Sequence, residues 1–183
     1  MLRSRLLLIA AFVLTSFACT YAQTFTLKSN EIGGQITKKQ EFNSFGCSGE
    51  NISPQLLWEN APEGTKSFAI TVYDPDAPTG SGFWHWVVFD IPANIKELKT
   101  GAGDITKGLA PKGAIQSSTL YGAKGFGGAC PPVGHGFHQY IFTVHALKTD
   151  KLGLDENTNP EIVGFYLWQN TLAKASIVSY YKK

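Results

Sequence analysis

The chain is poor in charge: Asp, Glu, Lys and Arg together make up 16% of its 183 residues. That proportion is too small for a disordered chain or a coiled coil. There is no internal repeat, no block of like charges and no low-complexity linker. The longest apolar run, residues 6–14, is nine residues, roughly half of the ~20 needed to span a bilayer. No His-Glu-x-x-His or Gly-x-Ser-x-Gly sequence is present, so the common signatures of metalloproteases and serine hydrolases are missing. What the chain does have is turn-formers and flat side chains. Nineteen glycines, nine prolines and 13% aromatics favour a β-rich architecture, and 43% hydrophobic residues suffice for a sizeable core.

The first 22 residues stand apart from the fold. Arg3 and Arg5 form a basic start, the apolar run follows, and small and polar residues lead to Thr20-Tyr21-Ala22. This pattern predicts a secretory signal peptide cleaved after Ala22, a folded domain over residues 23–183, and an exported protein, periplasmic or secreted. Lipoprotein processing at Cys19 is the minor alternative, since Ser16-Phe17-Ala18 lacks an aliphatic residue. When Arg3 and Arg5 leave, Lys plus Arg falls from 16 to 14 and equals the 14 Asp plus Glu. The pI of 8.4 therefore describes the precursor. A neutral mature chain gives no basic face for nucleic acid, so any anion must be caught locally. Export leaves Cys47 and Cys130 as a pair in an oxidising compartment. A disulfide is their simplest use, closing a loop of about eighty residues and worth ~3–4 kcal/mol; two separate buried thiols are the alternative.

Residues 67–73, 84–91 and 138–147 read as strands. Phe68, Ile70 and Val72 alternate with Ala69, Thr71 and Tyr73, and both faces carry apolar groups, as in central strands covered on two sides. Residues 26–28 and 55–58 are shorter candidates. Asn159-Pro160-Glu161 supplies a cap, a proline at the first helical position and an acid near the positive end of the dipole. Ile162, Phe165, Tyr166, Gln169, Leu172, Ala173, Ser176, Ile177 and Tyr180 then recur at helical spacing, which predicts a terminal helix reaching Tyr180.

Chemistry-bearing residues gather at strand ends. Asp74 and Asp76 leave the first strand, Trp84-His85-Trp86 enters the second, and His138 and Tyr140 enter the third after a loop rich in glycine and proline. Two histidines near a carboxylate suit anion binding. The glycines of the loop would let backbone N–H groups cradle the anion, and Phe83, Trp84, Trp86 and Tyr140 would supply apolar walls. The run Gly122, Gly125, Gly127, Gly128 is not a nucleotide fingerprint, because Pro131-Pro132 follows where a helix should begin. An alternative use of Asp74, Asp76, His85 and His138 is as metal ligands or an acid–base set in a hydrolase.

Taken in order, Asp74-Pro75-Asp76-Ala77-Pro78, Trp84-His85-Trp86, Cys130-Pro131-Pro132 and His138-Gln139-Tyr140 resemble the phosphatidylethanolamine-binding protein family, in particular its bacterial Raf-kinase-inhibitor-like branch. Gly46-Cys47-Ser48-Gly49-Glu50-Asn51-Ile52-Ser53-Pro54 and Thr171-Leu172-Ala173-Lys174-Ala175-Ser176 are similar to that branch too, so the resemblance runs from about Phe25 to Tyr180. It implies a single, mainly β domain with a large central antiparallel sheet, a smaller flanking sheet and a C-terminal helix. It also implies a binding protein rather than an enzyme, with no cofactor or metal, whose pocket takes phosphate, a phospholipid headgroup or a similar anion. The residues that match the family's site are Asp74, Asp76, Pro78, His85, Ala129, Cys130, Pro131, His138 and Tyr140. A protein partner, in the manner of a kinase or protease inhibitor or a modulator of host signalling, and a homodimer are the further associations expected. The family usually has arginine where this chain has Gln139, which removes a positive charge beside the Asp-rich loop; His135 is placed to compensate in part.

Overall fold

The computed structural model describes residues 23–183. The predicted signal peptide, Cys19 and the cleavage point after Ala22 lie outside the described residues. Two antiparallel sheets face each other. The smaller has three strands in the order β1 (Thr26–Lys28), β2 (Leu56–Glu59), β5 (Glu97–Leu98). The larger has five, in the order β6 (Ile115–Gln116), β4 (Phe83–Pro92), β3 (Ser67–Asp74), β7 (His138–Leu147), β8 (Thr171–Tyr181). β3 lies in the middle and is buried on both faces almost throughout, which is why its sequence is apolar at both parities. Its inner face meets the small sheet: the fully buried rings of Trp58 and Phe68 pack at 5.3 Å across the interface. Such a pair adds about 0.5–1.5 kcal/mol beyond its buried area.

The outer face of β3 and β4 is covered by α1 (Pro160–Asn170), through Val163 and Leu167 against Ala69, Val87 and Phe89. The start of this helix follows the sequence, with the Asn159 side chain accepting from the Glu161 N–H at 2.8 Å and Pro160 in the first turn. Its end does not. The helix stops at Asn170, where Thr171 turns extended and bonds back to the Leu167 carbonyl. Residues 171–181 form β8 rather than the predicted helical continuation, pairing with β7 from His138↔Tyr181 to Leu147↔Thr171. In this stretch Ala175 and Ile177 pair with Val144 and Phe142 on the core face, so the same residues satisfy a period of two. The long ladder with β7 outweighs a weak local helical preference. The two-residue strands β5 and β6 carry no pattern that marks them in the sequence.

Cys47 and Cys130 are joined by a disulfide, with Cα atoms 5.9 Å apart and a sequence separation of 83. The bond ties the segment before β2 to the long loop before β7. Asn51 reinforces the tie: its Oδ1 accepts from Gly128 N–H at 2.7 Å and its Nδ2 donates to the Phe126 carbonyl at 3.3 Å. Replacing both Cys47 and Cys130 with serine should lower unfolding free energy by about 3–4 kcal/mol, read from urea denaturation under non-reducing conditions. An unchanged midpoint would mean that the bond constrains nothing the rest of the fold does not already hold.

Candidate functional site

The strand ends converge beyond the cover of the small sheet, and an irregularity in β4 decides what they present. Val72 pairs with Trp86 and Tyr73 with Trp84, leaving His85 as the extra residue of a β-bulge. A bulge re-aims the side chain of the strand that carries it. Here it sends the two tryptophans to opposite faces: Trp86 joins the inter-sheet core, and Trp84 packs on Tyr73 at 4.7 Å on the helix side. Neither is the pocket wall that the sequence suggested. The unpaired His85 backbone carbonyl accepts instead from Gly127 N–H at 2.8 Å. Its ring Nδ1 lies 2.9 Å from the Gly127 carbonyl and 3.1 Å from that of Gly128.

These contacts explain the glycines of the loop. A Cβ on Gly128 would collide with the backbone at Gln40 and Glu41, and one on Gly127 with the Tyr121 ring. Their N–H groups are committed to Asn51 and His85. These two glycines therefore allow close packing, and their amides are not free to cradle an anion.

On the inner face, Asp74 and His138 are buried and paired, with Nδ1 of His138 2.7 Å from Oδ2 of Asp74. The other carboxylate oxygen accepts from Asp76 N–H at 2.8 Å. His138 Nε2 continues the chain to Nδ1 of the exposed His135 at 2.7 Å. Around these groups lies a cavity of about 480 Å³, lined by Asp74, Pro78, His85, Cys130, Pro131, His138 and Tyr140 among the residues foreseen. Asp76 and Ala129 do not line it. The Asp76 carboxylate turns to the Gln139 N–H at 2.8 Å, and Ala129 is buried where the loop pairs with Phe42 and Gln40. Phe83, foreseen as a wall, lines it too, and Phe45, Leu120, Tyr121, Val133 and Lys183 join the lining and were missed. They arrive from loops and from the segment after β8, brought in by the disulfide and by long-range packing that leaves no local signature.

Burial dominates the electrostatics. It pushes His85 down to about 4, with the Gly127 and Gly128 carbonyls and the Asp74 charge opposing only in part. Burial, and secondarily the negative Asp74, push the Tyr121 and Tyr140 phenols above their usual value. His85 is thus neutral at physiological pH and ringed by Phe83, Tyr121 and Tyr140, whose centroids lie 5.0, 5.6 and 5.0 Å away. Tyr121 donates to the Gly128 carbonyl at 3.0 Å, whereas the buried Tyr140 hydroxyl makes no hydrogen bond with full geometry among the described residues. The Cys130 amide lies near enough to favour its phenolate slightly. Lys183, which donates to the Gly46 carbonyl at the mouth, is the only Lys or Arg among the lining residues.

The family model described as phosphatidylethanolamine-binding protein matches residues 29–182. The chain belongs to this family. It is 50% identical to Escherichia coli YbcL over 163 residues, 88% of this chain and 89% of that protein. It is 46% identical to Escherichia coli YbhB over 155 residues, 84% and 97% of the two chains. The crystal structure of Escherichia coli YbcL, described as a new member of the mammalian family, superposes with a TM-score of 0.85 over 87% of this chain and 98% of that one. A homologue from Chlamydia trachomatis at 27% identity gives 0.71, over 87% and 97%. Family membership accords with the two antiparallel sheets and the one helix near the C-terminus.

A half-buried histidine outside the pocket shares the acid sensitivity of His85. His145 sits on the helix side between the hydroxyls of Thr71 and Thr171, each 3.3 Å away, and burial lowers it to about 4. Unfolding returns both histidines to about 6.5, so the unfolded chain binds more protons. Their contribution is complete above pH 6.5 and is lost as pH falls toward 4, about 2 kcal/mol each by pH 5. Urea midpoints measured from pH 7 to pH 5 should fall accordingly, and His145→Gln should remove its share. A flat profile would contradict the burial of neutral imidazoles.

Proposed function

We propose that this chain is an exported, non-catalytic binding protein whose pocket takes a small phosphoryl-type anion, free phosphate or a phosphorylated headgroup. The observation that carries this reading is the cavity itself: it brings His85, His138 and Tyr140 together in apolar walls, with Lys183 at the mouth. A few polar groups in an otherwise apolar cleft suit recognition of one polar head and an apolar remainder. Phe45 and Val133, 73% and 77% exposed, extend that apolar surface onto the rim.

The chemistry of the lining favours binding over turnover. Cys130 is held in the disulfide, and the Thr79 hydroxyl donates to the Gly82 carbonyl, so neither is poised as a nucleophile. The Asp74–His138 pair leads to another histidine, not to a hydroxyl or thiol it could activate. Among the described residues no group of three His, Cys, Asp or Glu side chains is arranged to hold a metal ion. The basic and apolar leader together with the disulfide supports export. Modulation of a kinase, protease or host signalling protein through a direct contact, and a homodimer, belong to the same reading; family membership is what supports them.

Titration calorimetry of the purified protein with phosphorylethanolamine tests the pocket. We expect saturable binding that weakens at least tenfold in His85→Ala, a loss of about 1.4 kcal/mol. Equal heats for the two proteins would remove this pocket from the account.

A further inference from the structure

His85 is fixed in one tautomer by its surroundings. Both partners of Nδ1 are backbone carbonyls, which can only accept, so Nδ1 carries the hydrogen. In the neutral ring Nε2 is then a bare lone pair, and no described residue makes a hydrogen bond to it. The ring lines the pocket beside the Asp74 carboxylate, whose oxygens are already taken by His138 and Asp76. A fully deprotonated oxyanion entering here would set its oxygens against a lone pair and a buried negative charge. Lys183 is the sole lining ammonium, and it lies at the mouth.

We propose that the pocket selects tetrahedral oxyanions that carry a proton, a ligand P–O–H donating to His85 Nε2, so that protonated phosphomonoesters bind and sulfate esters do not. This rests on the anion-pocket reading above and adds to it the identity of the accepted species. The hydrogen stays on the ligand oxygen, and no bond is made or broken. Tyr140 packs edge-to-face with the His85 ring at 5.0 Å and forms part of the wall, its hydroxyl being buried beneath the surface. Burial supports the arrangement by keeping His85 unprotonated down to about pH 4. The other titratable groups facing the ring are Asp74 at the end of β3, His138 and Tyr140 of β7, Tyr121 of the long loop and Lys183 after β8, with His135 behind His138. Both phenols are held neutral, so within pH 5–8 none of these tyrosines changes the charge of the pocket.

Phenyl phosphate and phenyl sulfate make the comparison clean. At pH 5 both are predominantly monoanions of similar shape, and only the phosphate has a hydroxyl to donate. Calorimetry on the purified protein should show phenyl phosphate binding at least tenfold more tightly at pH 5. Its affinity should fall about tenfold per pH unit above the second phosphate pKa of about 6. His85→Asn keeps a side-chain donor toward Gly127 and Gly128 and, being shorter, leaves no acceptor at the position of Nε2; it should erase both the preference and the pH slope. Equal binding of the two esters with a flat pH profile would overturn the proposal and leave the anion pocket standing. Binding of neither ester at any pH would overturn the pocket reading, and this proposal with it.

Discussion

One extra residue in β4 sets the geometry of the site. Because His85 has no partner on β3, its backbone and ring are both free to bond the loop at Gly127 and Gly128. The loop can come that close only where a side chain is absent, and it is held there by Asn51 and the Cys47–Cys130 bond. The same bulge separates Trp84 from Trp86, giving one ring to the core and the other to the helix-facing layer. The tautomer of His85, the depth of the pocket and the packing of both sheet faces therefore share a single cause.

The second constraint is electrostatic. Asp74 is buried, and a buried carboxylate must be paired and hydrogen-bonded to be tolerated. His138 and the Asp76 N–H meet that need, and in doing so they fix the ends of β3 and β7 against each other. The outcome is a site whose polar atoms are mostly spoken for. His85 Nε2 is the acceptor that remains, in a ring that lines an apolar space.

Much of the scaffold is legible in the sequence, because β3, β4 and β7 are long and apolar on both faces. β8 is not, since residues 171–181 fit a period of 3.6 as well as a period of two, and only the ladder with β7 decides between them. The site follows the same division. Asp74, His85, His138 and Tyr140 stand at strand ends and in motifs that resemble the family. Asp76 and Ala129 occupy neighbouring motif positions but face the backbone instead, which no spacing reveals. Phe45, Tyr121 and Lys183 reach the cavity from distant loops. The bulge is the least legible feature, because Trp84-His85-Trp86 reads as an ordinary alternation with both tryptophans on one side.

The tautomer of His85 is the central claim, and side-chain nitrogen NMR of the folded protein at pH 7 observes it directly. The expected ring is neutral, with Nδ1 protonated and Nε2 bare, and Nε2 is the nitrogen that shifts when phenyl phosphate is added. A ring protonated at Nε2 in the free protein, or one charged at pH 7, would contradict it.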